Sequence, residues 1–108
     1  LEAMKVNEEI KNLELEKLEN QLSLELKNAI KRHQDLLGNI ENSKLDIIPQ
    51  NQVLMELIHK KYLGGGIDYL DWYLPFNQYL ANKLELINTE KELALNASII
   101  KYIQGYEN

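Results

Sequence analysis

Three consecutive glycines, Gly64-Gly65-Gly66, interrupt a chain that has almost no other punctuation. Only Gly38 and Gly105 lie elsewhere, and the two prolines, Pro49 and Pro75, stand on either side of the triplet. A mixed or all-β domain needs turn signals every roughly 8–12 residues. One cluster in 108 residues leaves room for two long elements and a single turn. The flanking segments are dominated by Leu, Glu, Lys, Asn and Gln, which favour helix. The expected fold is therefore all-α: a long antiparallel, coiled-coil-like helical hairpin in one domain over residues 1–108. One arm covers about 1–63, the turn is Gly64–Gly66, and the other arm covers about 68–105.

Composition narrows the function. The chain has no cysteine, which excludes a disulfide framework, a thiolate zinc site and cysteine catalysis. Its formal charge of −5 argues against nucleic acid as a partner. No apolar run approaches the ~18 residues of a membrane span, so no direct membrane insertion of this segment is expected. The chain begins at Leu1 without an initiator Met, which reads as a fragment of a larger protein. No nucleophile, base and orienting group occur together, and the triple glycine is followed by no lysine of a phosphate-binding loop. The chain reads as neither an enzyme nor a cofactor binder.

On the first arm, Leu15, Leu18, Leu22, Leu26, Ala29, His33, Leu36 and Ile40 step by three or four residues, one face of a coiled-coil-like helix. Leu13, Leu24, Ile30 and Leu37 fall off that seam, as in a helix with neighbours on both sides. Pro49 lacks an amide hydrogen and biases Ile48 away from helix, so a kink or short break is expected near 45–49. A new helix then runs from about Gln50 to Tyr62, with Val53, Leu54, Leu57, Ile58 and Tyr62 as its apolar stripe. His59, Lys60 and Lys61 sit in its last turn, where the helix dipole favours cations. One glycine of the triplet caps this helix. Asp68 is the candidate N-cap of the second arm, with Asp71 at its third position. That arm carries Leu70, Leu74, Ala81, Leu84, Leu95, Ile99 and Tyr102, with Leu80 and Ile87 alongside. Pro75 is expected to bend it and Gly105 to close it.

The segment Tyr62-Leu63-Gly64-Gly65-Gly66-Ile67-Asp68-Tyr69-Leu70-Asp71 resembles the signature Y-x-x-G-x-x-[SD]-x-x-[DE] of the TolC-like outer-membrane efflux proteins. Pro49 upstream, Tyr69-Leu70-Asp71-Trp72-Tyr73 after the turn, and a helix ending near Tyr102 and Gly105 resemble the heavy-metal branch of that family. The resemblance spans the chain as a pattern, and its specific part is about ten residues around the turn.

The resemblance implies the last periplasmic hairpin of a trimeric efflux duct, with the glycine turn at the tip where the tunnel opens or closes. It implies a Gram-negative cell envelope, with the segment in the periplasmic part of an outer-membrane protein or of a protein fused to the pump. The implied partners are a periplasmic adaptor protein and an inner-membrane RND transporter, and the implied cargo is heavy-metal cations or small toxic compounds. Carried onto these residues, Asp71 lines the entrance, with Tyr62, Gly64, Gly65, Gly66 and Asp68 around it. Leu74 stands where some members have a second acidic residue, and Gly64 and Gly66 depart from the usual single glycine, which suggests a looser tip. Three copies of Asp71 around an axis would form a negative ring that attracts cations and is costly to close unless neutralised.

Plainer readings stand beside these. Asp68 and Asp71 also fit simple helix capping. Tyr69, Trp72, Tyr73 and Phe76 form either a partner contact at the tip or ordinary core. His33 on an apolar seam reads as a packing residue. Glu56 and His59 have a Glu-x-x-His spacing, but the second arm has no histidine to complete a metal site, and no metal is expected. The alternative function is a generic helical-hairpin interaction module that self-associates into a helical bundle.

Overall fold

A computed structural model describes residues 2–107. It is an all-α helical hairpin: α1 (Glu2–Asn42), a π-helical turn (Ser43–Ile47), α2 (Ile48–Leu63) and α3 (Tyr69–Glu107). No strand occurs among the described residues. The residues group into two compact units, one of residues 1–33 and 95–108 and one of residues 34–94.

The break expected near Pro49 is a change of helix type. Ser43–Ile47 is a π-helix, and the amide of Ile48 donates to the carbonyl of Ser43, five residues back. Ile48 is itself helical, with φ −66° and ψ −46°, against the expectation that Pro49 pushes it out of helix. Pro49 lies in the first turn of α2, where an amide hydrogen has no essential partner. The wider π-turn lets the chain pass the proline without leaving helix. α3 likewise continues through Pro75 as one helix. It also runs past Gly105, the residue expected to end it. Gly105 has no positive φ, and a helical glycine near an end costs only about 1 kcal/mol relative to alanine.

The inward row of α1 follows the expected seam from Leu22 onward. Leu22, Leu26 and His33 are half-buried, and Ala29, Leu36 and Ile40 are buried. Leu15 and Leu18, expected on the same seam, are exposed, as is everything from Glu2 to Gln21.

The stripes expected on α2 and α3 need correction. On α2 the inward residues are Ile48, Asn51, Met55, Ile58 and Tyr62, while Val53, Leu54 and Leu57 are exposed. The π-turn adds one residue between Ser43 and Ile48 and so advances the inward row by one position. On α3 the inward row is Trp72, Phe76, Tyr79, Asn82, Leu86, Thr89, Leu93, Asn96, Ile100 and Ile103. Leu70, Leu74, Ala81, Leu84, Leu95, Ile99 and Tyr102, with Leu80 and Ile87, all face outward. The inward row repeats every seven residues but holds Asn82, Thr89 and Asn96, polar positions that a search for apolar spacing passes over.

In the unit of residues 1–33 and 95–108, the buried amide of Asn96 donates from Nδ2 to the carbonyl oxygen of Ala29 at 2.7 Å. The small side chain of Ala29 lets an amide reach the α1 backbone. Ile103, only 3% exposed, is the most deeply buried apolar residue among those described. In the unit of residues 34–94, Leu36 and Ile40 are buried, each contributing about 1.5–3 kcal/mol. The Thr89 hydroxyl donates to the Glu85 carbonyl one turn back, at 2.8 Å, which settles a polar group on the inward row.

Candidate functional site

The site is the tip of the hairpin, residues 52–79, all within the unit of residues 34–94. Here α2 ends in a fully bonded Schellman motif. Gly64 is the C-cap with φ −80°, and Gly65 follows with φ 78°. The Gly65 amide donates to Tyr62 at 3.1 Å and the Gly66 amide donates to Lys61 at 2.8 Å, the two bonds that define the motif. The Gly64 amide donates to Lys60 at 3.0 Å. Gly65 alone among the three requires glycine for its backbone angle. All three glycine amides are hydrogen-bonded within the turn.

α3 begins immediately after Asp68, whose carbonyl accepts from the Trp72 amide at 3.2 Å. Accepting that first helical bond makes Asp68 the N-cap and puts Asp71 at the third helical position, as expected. Both aspartates are exposed. They place negative charge at the start of α3, and Lys60 and Lys61 place positive charge in the last turn of α2, each where the helix dipole favours it.

The aromatic residues expected around the turn come together as a stack. Tyr62 stacks on Trp72 with ring centres 5.6 Å apart, and Trp72 stacks on Phe76 at 4.9 Å and 12°. Tyr69 stacks on Tyr73 at 5.6 Å and leans on Trp72 at 5.8 Å. His59 joins at 6.4 Å from Trp72. Core packing accounts for only part of this cluster. Trp72, Phe76 and Tyr62 are half-buried and pack α3 on α2, whereas Tyr69 and Tyr73 are exposed. The indole Nε1 of Trp72 is buried without a hydrogen-bond partner.

Below the stack lies an open groove of about 320 Å³, lined by Gln52, Met55, Glu56 and His59 from α2 and by Trp72, Phe76 and Tyr79 from α3. The ammonium of Lys83 sits over the Tyr79 ring at 4.6 Å from its centre. Glu56 and His59 both line this groove, but no group of three or more His, Cys, Asp or Glu gathers at metal-binding distance among the described residues. His33 lies far from the tip in sequence, half-buried on the α1 row with its Nδ1 unpartnered.

Sequence reasoning missed Gln52 and Met55, because the one-residue advance at the π-turn changes which α2 positions face α3, and it missed Tyr79 with the rest of the α3 inward row. The signal for the α3 side was present in the seven-residue spacing of Asn82, Thr89 and Asn96. No family model, curated protein or solved structure matches this chain.

Proposed function

We propose that this hairpin is a structural wall element, one that packs beside other helical hairpins to build a larger helical assembly. Its more specific form is the periplasmic α-barrel segment of a TolC-like efflux duct. The observation that carries the general reading is the second apolar row on each arm. Leu24, Ile30, Leu37, Leu54 and Leu57 on the first arm are exposed, and so are Leu70, Leu74, Leu84, Ile87, Leu95 and Ile99 on the second. Against these, the buried residues among those described are Ala29, Leu36, Ile40, Asn96 and Ile103. Apolar surface on that scale, left uncovered by the hairpin itself, marks contact sites for further chains.

The duct reading is supported by the tip. It has a fully hydrogen-bonded glycine turn, an exposed Asp68–Asp71 pair and an aromatic stack against the first turn of α3. In that reading the hairpin is a conduit wall with no chemistry of its own. It works in a Gram-negative envelope with a periplasmic adaptor and an inner-membrane RND transporter, and passes heavy-metal cations or small toxic compounds. Asp71, repeated around a trimer axis, would narrow the entrance for anions and open more readily once neutralised by protons or cations.

Sedimentation of the purified chain tests the general reading: discrete oligomers are expected, and a monomer at tens of micromolar overturns it. Conductance of the assembled channel in a planar bilayer tests the duct. Asp71→Asn is expected to raise conductance and weaken block by divalent cations, and no change in either sinks the entrance role. Discrete bundles without any conductance favour the self-associating interaction module instead.

A further inference from the structure

The π-turn sits where two different faces of α2 compete for the same seam. Ordinary α-helix continuing from Ile40 and Ser43 would bring Ile47, Gln50, Leu54, Leu57 and Lys61 inward. The observed turn instead brings in Ile48, Asn51, Met55, Ile58 and Tyr62. One residue separates the two sets, which amounts to about 100° of helix rotation.

Neither face is fully suited to burial. The observed one buries the Asn51 amide, whose Nδ2 has no hydrogen-bond partner, and leaves Leu54 49% and Leu57 52% exposed. It also requires a π-turn, whose hydrogen-bond geometry is inferior to that of α-helix. The other face would free the Asn51 amide and cover both leucines, but would turn Lys61 inward and separate Tyr62 from Trp72. Pro49 weighs toward the observed state, because it has no amide hydrogen to close the α-helical bond to Leu45.

We infer that the Ser43–Ile47 turn is a register switch: α2 has a second, minor packing state in which the turn straightens to α-helix, Leu54 and Leu57 rotate inward, and Tyr62 rotates away from Trp72. The switch connects a change in mid-arm to the aromatic stack at the tip, because α2 turns as one helix from Ile48 to Leu63.

The chain has no native cysteine, so a single introduced thiol reports one face without background. Leu57→Cys marks the exposed face and Ile58→Cys the covered one, and their labelling rates with a small disulfide reagent are compared at one fixed state of association. With Pro49 in place, the thiol of Leu57→Cys reacts faster than that of Ile58→Cys. Pro49→Ala restores the amide and is expected to shift the ratio of the two rates about fivefold toward the Ile58→Cys thiol, with Trp72 fluorescence changing as Tyr62 leaves it. Deleting Leu45 in the Pro49→Ala background removes the extra residue and restores the amide, giving a straight helix with the observed face still inward. It is expected to keep the Ile58→Cys thiol protected and Trp72 emission native. An unchanged ratio in Pro49→Ala, or a reversed ratio on deletion of Leu45, overturns the switch. So does acceleration of both thiols together, because that means α2 unfolds instead of turning.

Discussion

The two compact units of this hairpin are held by different chemistry. In residues 1–33 and 95–108 the row is mostly aliphatic, interrupted by half-buried His33, and carries a buried polar contact, the Asn96 amide on the Ala29 carbonyl. In residues 34–94 the aliphatic pair Leu36 and Ile40 gives way toward the tip to stacked aromatic rings, and a π-turn sets which face of α2 meets them. A uniform leucine seam would pack almost equally well when slid by one heptad. A buried amide that finds one carbonyl at one height does not tolerate that slip, since the displaced group would stay unpaired in an apolar setting. The aromatic unit achieves the same end through the turn: Gly64–Gly66 fixes the height at which α3 starts, and ring stacking fixes its face. One unit takes its register from a polar contact, the other from a covalent turn.

The largest effect is expected where the aliphatic unit has least in reserve. Ile103→Ala removes its most deeply buried apolar side chain and is expected to cost about 2–4 kcal/mol in chemical denaturation. A cost below about 1 kcal/mol would show that this unit is not held by its inward row. At the tip, Gly65→Ala forces a β-carbon into φ 78° and is expected to cost about 1–2 kcal/mol. Gly64→Ala and Gly66→Ala, with ordinary backbone angles and nearest contacts of 3.4 Å, should cost less. Equal costs at all three positions would refute the assignment of the αL cap to Gly65. Asn96→Ala should follow at about 1 kcal/mol, together with loss of register. The same chemical denaturation reads this cost, and none at all would show that the amide does not hold the unit.

How legible this was in the sequence depended on whether the deciding force was local. The turn, the two arms and the row from Leu22 to Ile40 follow from glycine conformational freedom and from the spacing of leucines along one helix. Asp68 as N-cap and Asp71 three residues on are equally local. The inward face of α3 was not legible from apolar spacing. Its outward face, carrying Leu70, Leu74, Leu80, Leu84 and Leu95, is richer in leucine than its inward one, and only the partner helix decides between them. Proline reads as a kink or short break near Pro49 and a bend at Pro75, but a first-turn position and a preceding π-turn absorb the first. The face of α2 then depends on a single inserted residue, for which spacing within α2 gives no sign. The groove inherits that ambiguity, since Gln52, Met55 and His59 line it only in the advanced register.

The smallest expected effect separates the polar contacts of the two units. The ammonium of Lys44, on the π-turn, lies 3.4 Å from the Glu90 carboxylate of α3, with both side chains about half exposed. An ion pair so hydrated gains little, because water screens the charges and two long side chains lose freedom to meet. Lys44→Ala is therefore expected to change stability by less than about 0.5 kcal/mol, and about 0.5 M salt should reduce even that. Asn96→Ala, whose bond is neutral and buried, should show almost no salt dependence. If Lys44→Ala instead cost as much as Asn96→Ala, the pair would have to be clamping the π-turn. Deletion of Leu45 combined with Lys44→Ala would then show a coupling that two independent changes would not.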